Sequence, residues 1–296
     1  MIFRIFVVET YKQPPLPRLV QTLNHTPEEP PKSNILGGLS FSDLIQTLGV
    51  AIAVALFLKI FIIELYQIPT RSMEQRLLAG DCVLADKIAY SIGLPTVLPF
   101  TNIRLPFEKW RITYKNVERG DVIIFDFPGV LSEIHPQNPE LYVKRVLGLP
   151  GETVSVNGGR AFINGTAIDY CSAALPSSDY TSECPFLGPI AVPKMGTPLS
   201  LTNDNIDLYR TLIEREGNTV AVEANRIVIN GNETASYQVQ DDYYYVLGDN
   251  CIDSYDSRFW GFVPERNILG KPLLIYWSVD VISNAIRWDR LGTIVR

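Results

Sequence analysis

The run of residues 44–63 constrains this chain more than any other feature. Lys59 is its only charged side chain, and the rest is almost wholly apolar. About twenty helical residues span roughly 30 Å, the thickness of a bilayer's hydrocarbon core. Lys59 lies toward the far end, where its stem can carry the ammonium out to the headgroups. A cleaved leader fits less well, because the run begins far from the N-terminus and no small-residue cleavage site follows. A buried core helix is the other alternative. The expectation is a single membrane anchor, residues 43–66, with a folded body after it.

The body has ample length. A chain of 296 residues can build a substantial core as one domain with an elaboration. Its net charge of −6 and lack of a basic tract argue against a nucleic-acid partner. The four cysteines, Cys82, Cys171, Cys184 and Cys251, show no metal-binding spacing, so no zinc site is expected. Only two histidines occur, His25 and His135, which leaves a histidine-based mechanism little to draw on. Residues 1–42 contain Pro14, Pro15, Pro17, Pro30 and Pro31 and read as a mobile tail.

Beyond the anchor the chain reads as mainly β. Residues 82–87, 122–127, 142–147, 243–247 and 273–277 are short runs rich in β-branched and aromatic residues, bounded by Gly, Pro or Asp. Residues 153–156 and 161–163 flank Asn157-Gly158-Gly159, a hairpin signal. A short echo recurs: Arg160 to Asn164-Gly165 and Arg226 to Asn230-Gly231. Between these lies a helical pattern, Ile206, Tyr209, Leu212 and Ile213, with Thr202 or Asn203 to cap it and Gly217 to stop it. Residues 166–240 are therefore read as an insertion. It divides a catalytic β domain into residues 67–165 and 241–280, and residues 281–296 form a C-terminal segment.

Three segments carry the chemistry. Ile68-Pro69-Thr70-Arg71-Ser72-Met73, with Leu77 and Gly80-Asp81, follows the anchor directly. Tyr142-Val143-Lys144-Arg145 runs into Gly148-Leu149-Pro150-Gly151-Glu152. Gly248-Asp249-Asn250 leads to Ser254, Asp256 and Arg258. A serine hydroxyl needs a base, and a lysine can serve when burial keeps it neutral. In strand geometry Lys144 shares a face with Tyr142 and Val146, which permits burial. Taken singly, each feature has a plain reading: a turn after a helix, a surface lysine, a solvated ion pair.

Together with the strand 119–125, these segments resemble the type I signal peptidases (leader peptidases), in the family's order and spacing, over residues 60–272. The resemblance implies an antiparallel β catalytic domain with an inserted cap and one N-terminal transmembrane helix. It implies a membrane-bound serine endopeptidase of the bacterial inner membrane, catalytic domain outside the cytoplasm, cutting signal peptides from exported preproteins. Its partners would be those signal peptides and the lipid bilayer. A monomer without cofactor or metal is expected. By position, Ser72 is the nucleophile and Lys144 the general base. Thr70 and the Ser72 N–H bind the oxyanion. Ser254 orients the lysine ammonium, and the Asp256–Arg258 pair supports the site, sharing a face if the chain there is extended. Ile68, Met73, Leu77 and Val143 would line the substrate pockets.

Three departures from the family pattern stand out. Gln75-Arg76 replaces Pro-Thr, Arg71 replaces a small residue, and Cys251 stands where arginine is usual. Cys251 is expected to be an unpaired thiol near the site. Whether Cys171 and Cys184 form a disulfide is open. A catalytically silent, peptide-binding relative is the rival reading, and retention of Ser72, Lys144, Ser254 and Asp256 together speaks against it.

Overall fold

The computed structural model describes residues 41–93, 111–134, 136, 140–157, 160–168 and 187–295. His25, His135, Cys171, Cys184 and nearly all of the expected tail lie outside them.

Helix α1, Phe41–Phe61, is apolar on every face and buries none of its residues. A helix hydrophobic all round belongs in a protein core or a bilayer. Among the described residues none buries this one, and it alone is long and apolar enough to cross a membrane. It ends at Phe61, short of the expected limit, because Ile63–Gln67 is already strand β1. The β-branched pair Ile62-Ile63 favours the extended state. Register pairing of β1 with the next strand, from Ile63 opposite Asp86 to Gln67 opposite Cys82, supplies the hydrogen bonds.

The strands belong to one compact unit, residues 51–296. β1 opens a seven-stranded sheet. The others, in chain order, are β2 (Asp81–Asp86), β3 (Val122–Asp126), β4 (Leu141–Gly148), β5 (Tyr243–Leu247), β6 (Val263–Pro264) and β7 (Ile268–Ser278). Their spatial order is β1-β2-β7-β3-β4-β5-β6, antiparallel throughout. All five strands expected from the early residue runs are present within a residue or two, or, for 273–277, inside the longer β7.

The central strands are buried on both faces, as the unbroken apolar run of β3 requires. Val122 packs into one core with Ile68, Met73, Leu77, Val83 and Ile275. Its neighbours Ile123 and Phe125 point the other way, into a core with Val146, Val246 and Trp260. Burying each large side chain contributes about 1.5–3 kcal/mol. The cores on either side of β3 therefore fix its position, and through it β4.

The region read as an insertion packs onto a third core. Helix α2, Ile206–Arg215, buries Ile206, Tyr209, Leu212 and Ile213, and these pack with Leu147, Tyr245 and Leu247 of the seven-stranded sheet and with Phe262 just before β6. The helix starts later than Thr202. Asn205 turns its side chain back to the Thr202 N–H and the Ser200 carbonyl, so residues 202–205 form a turn and Asn205 is the N-cap. The echoed Asn-Gly pairs are structural twins. Asn164 and Asn230 both have φ of 50°, with φ of 80° and 79° at the glycines that follow, and each asparagine side chain accepts the N–H of a threonine eleven residues upstream. Arg160–Ile163 pairs with Thr153–Asn157 as the hairpin signal foretold. That hairpin also pairs with Leu187–Ala191, in a four-stranded sheet separate from the seven-stranded one.

Candidate active site

Three chain segments converge at the end of the sheet. β1 runs through Ile68 and Pro69 into the turn bearing Ser72. β4 carries Lys144. The turn after β5 carries residues 248–256. The Lys144 ammonium donates to Ser72 Oγ at 2.6 Å. Both side chains are buried, with residue exposures of 4% and 7%. Burial pushes the Lys144 pKa down to about 8, opposed by the Asp256 carboxylate and helped by the Arg258 guanidinium. The ammonium also lies 5.7 Å from the centre of the Tyr142 ring. A lysine so placed can hold a neutral fraction near neutral pH, which is what a base needs.

The remaining expected residues gather here with two differences of geometry. Thr70 Oγ1 is 3.4 Å from Ser72 Oγ. Ser254 Oγ donates to Asp256 Oδ2 at 2.7 Å, and no hydrogen bond joins Ser254 to Lys144. The buried carboxylate is the stronger acceptor, and it leaves the hydroxyl's lone pairs open. Asp256 and Arg258 do pair, at 2.8 and 2.9 Å, but not along an extended chain. Asp256 caps a short helix α3, Ser257–Trp260, accepting the Arg258 N–H, and the Arg258 side chain folds back onto it. A fully buried carboxylate is held by that guanidinium, by Ser254 and by the Gly248 N–H at 3.1 Å.

Gly248 is required at its position. A Cβ there would lie 2.2 Å from Ser254 Oγ and 2.4 Å from the Ser72 carbonyl oxygen. The neighbouring Asn250 N–H donates to that Ser72 carbonyl at 3.0 Å. Gln75, one of the departures, has φ of 91°, a value proline cannot adopt. The turn after Ser72 therefore takes a backbone path incompatible with the family's usual residue.

A cleft of about 580 Å³ opens onto the dyad. Ile68, Met73 and Val143 line it, and so do Tyr66, Tyr142 and Tyr255. Leu77 does not. It is wholly buried in the core with Val83 and Ile275, because the turn after Ser72 directs it under the sheet. Two strand edges border the cleft. Among the described residues β1 is the sheet edge and pairs only with β2. The first half of β4 pairs with β3, while β5 pairs only from Arg145 onward.

Sequence reasoning missed Arg145 and Asp249. They form a bidentate pair, at 2.6 and 2.7 Å, between β4 and the Gly-Asp-Asn turn. The signal was present: an arginine beside the lysine and an acid inside the turn. The expectation for Cys251 is overturned. It is buried and disulfide-bonded, not a free thiol. Its carbonyl accepts from Arg258 at 2.9 Å, so that bond braces the turn from which Ser254 projects.

A buried serine against a buried lysine, beside an open cleft, is the arrangement of a serine hydrolase. The signal peptidase, peptidase S26 family model matches residues 41–277, and the chain belongs to that family. It is 28% identical to signal peptidase I of Leptolyngbya laminosa over 86% of this chain and 88% of the relative. It is 29% identical to signal peptidase I of Pseudomonas aeruginosa over 81% and 75%. A solved signal peptidase I from Enterococcus faecalis matches 54% of this chain and 98% of its own at 24% identity, with a TM-score of 0.30, too distant a likeness to add to the assignment. The protein is a serine peptidase of the kind that cleaves signal peptides.

Proposed function

We propose that this protein is a membrane-bound endopeptidase that uses a Ser72–Lys144 dyad to remove signal peptides from exported preproteins. The contact between Lys144 Nζ and Ser72 Oγ at 2.6 Å carries this reading. Neutral Lys144 takes the Ser72 proton as Oγ attacks the scissile carbonyl. The oxyanion rests on the Ser72 N–H and the Thr70 hydroxyl, donors of the kind worth a few kcal/mol. The lysine then protonates the leaving amine as the C–N bond breaks. Water, deprotonated by the same lysine, hydrolyses the ester and frees Ser72. Ser254, Asp256 and Arg258 hold the lysine's surroundings, and no metal or cofactor takes part.

The open edges of β1 and β4 support binding of the preprotein as an added strand. Residues one and three before the scissile bond then face the same way, toward Ile68, Met73, Tyr142 and Val143. The preference for small side chains at both positions, Ala-X-Ala, is carried over from the family. The apolar α1 fits an anchor in the cell membrane, with the sheet on the outer side. The test is purified full-length protein in detergent with a preprotein. Cleavage after Ala-X-Ala, lost in Ser72→Ala, is expected. Cleavage that survives Ser72→Ala, or that is indifferent to Leu or Phe before the cut, overturns the reading.

A further inference from the structure

We propose that the C-terminal segment is a clamp on the nucleophile's turn, with Arg290 as a positioning residue acting on Ser72 through Asp81. This rests on the role of Ser72 proposed above. The segment lies beyond residue 277, where the family match ends.

Asp81, at the start of β2, closes the turn that begins at Ser72. Its carboxylate is fully buried and carries four hydrogen bonds. Arg290 grips it with both ends of its fork, at 3.0 and 2.6 Å. Ser278 Oγ donates to it at 2.6 Å, and the Leu78 N–H at 2.8 Å. Two arginines of the segment also reach the turn's main chain. Arg290 donates to the Arg76 carbonyl at 2.8 Å and Arg287 to the Ala79 carbonyl at 3.0 Å. The carbonyls of Arg76 and Ala79 are thereby held by side chains some two hundred residues away in the sequence, and the Leu78 N–H between them by the clamped Asp81 carboxylate.

The segment is itself firmly seated. Gly292 N–H donates to the Ile275 carbonyl, Ile275 N–H to the Thr293 carbonyl and Val295 N–H to the Leu273 carbonyl, at 2.8–2.9 Å. Val295 enters the core that contains Ile68, Met73 and Leu77, the residues on either side of Ser72. Gly80 admits the segment: a Cβ there would lie 2.0 Å from the Val279 carbonyl oxygen, and its φ is +93°.

The dyad's partners come from different strands, Ser72 from the turn after β1 and Lys144 from β4. Only the placement of that turn brings Oγ within reach of Nζ. A misplacement of about 1 Å can cost a hundredfold in rate. A planar two-pronged guanidinium on a buried carboxylate is well suited to hold such a placement.

The experiment uses the full chain in detergent and a signal-peptide substrate. It compares wild type, Arg290→Gln, Arg290→Lys, Asp81→Asn and the Asp81→Asn/Arg290→Gln double variant, which leaves no buried charge unpaired. The singles should lower kcat about 10- to 100-fold with KM within about threefold, while melting curves show folded protein. The acidic limb of kcat/KM should move to higher pH as a loosened turn lets water reach Lys144. Arg290→Lys should recover part of kcat. The double should be no slower than the slower single, since both act through one contact. Singles with wild-type kcat overturn the proposal. So does a rate loss that tracks the folded fraction with the acidic limb unmoved, or a double whose loss is the product of the singles. Ser72→Ala runs alongside: its activity would refute the dyad, whereas an inactive Ser72→Ala with a normal Arg290→Gln refutes the clamp alone.

Discussion

Arg145 grips Asp249 with two charge-assisted bonds, at 2.6 and 2.7 Å. The strand that carries Lys144 and the turn that leads to Ser254 are thus one mechanical unit. Arg145 also donates to the Gly120 carbonyl at 2.6 Å, tying that unit to the start of β3. Arg145→Ala leaves a mostly buried carboxylate unpaired and should destabilise the fold by about 2–4 kcal/mol, discounted for partial exposure. Combined with Asp249→Asn, it should cost much less than the sum of the singles. Urea unfolding of the four proteins measures this. Additive losses would show that the pair does not couple the two segments.

The rate should depend on pH in a defined direction. Burial holds Lys144 at about 8, below its ordinary value, and only the neutral amine can take the Ser72 proton. Below that pKa, kcat/KM should fall about tenfold per pH unit, and above it the profile should level. A short peptide assayed from pH 5 to 10 gives the profile. A maximum near pH 5 would point to a carboxylate base instead.

The disulfide at Cys251 sits one residue after the asparagine that holds the Ser72 carbonyl. Cys251→Ser, or wild type in excess dithiothreitol, should melt roughly 5–10 °C lower, the usual effect of losing a native disulfide in a domain this size. Activity should fall with it, because the same turn bears Ser254. An unchanged melting temperature would mean that the turn is held by its hydrogen bonds alone.

Much of this arrangement was legible in the chain because local rules decided it. The alternation and β-branching of 82–87 and 142–147 gave strands of the right extent, and Asn164-Gly165 and Asn230-Gly231 gave their turns. The convergence of Ser72 and Lys144 came from the family resemblance. Periodicity places each on its element without bringing the elements together. What escaped was set by partners distant in sequence. Leu77 reads as a pocket residue until the turn after Ser72 buries it beside Ile275. Asp256 and Arg258 read as an extended pair because a four-residue helix has too little periodicity to announce itself. Arg145 with Asp249, and Arg290 with Asp81, are ion pairs across 104 and 209 residues, which no local pattern encodes.

The central claim, that Lys144 is the base for Ser72, is tested most directly by cleavage and melting of Lys144→Met measured together. The account predicts a loss of preprotein cleavage as complete as in Ser72→Ala, at least about 10⁴-fold, with His135→Ala retaining most activity. It also predicts that the methionine variant melts no lower than wild type at pH 7. A lysine held at about 8 is protonated there in both folded and unfolded states, and burying that charge costs on the order of 3 kcal/mol. Methionine removes this cost. The advantage should shrink between pH 8 and 10.5, where the folded lysine is already neutral and the unfolded one still binds its proton. A folded Lys144→Met that cleaves within tenfold of wild type would contradict the account.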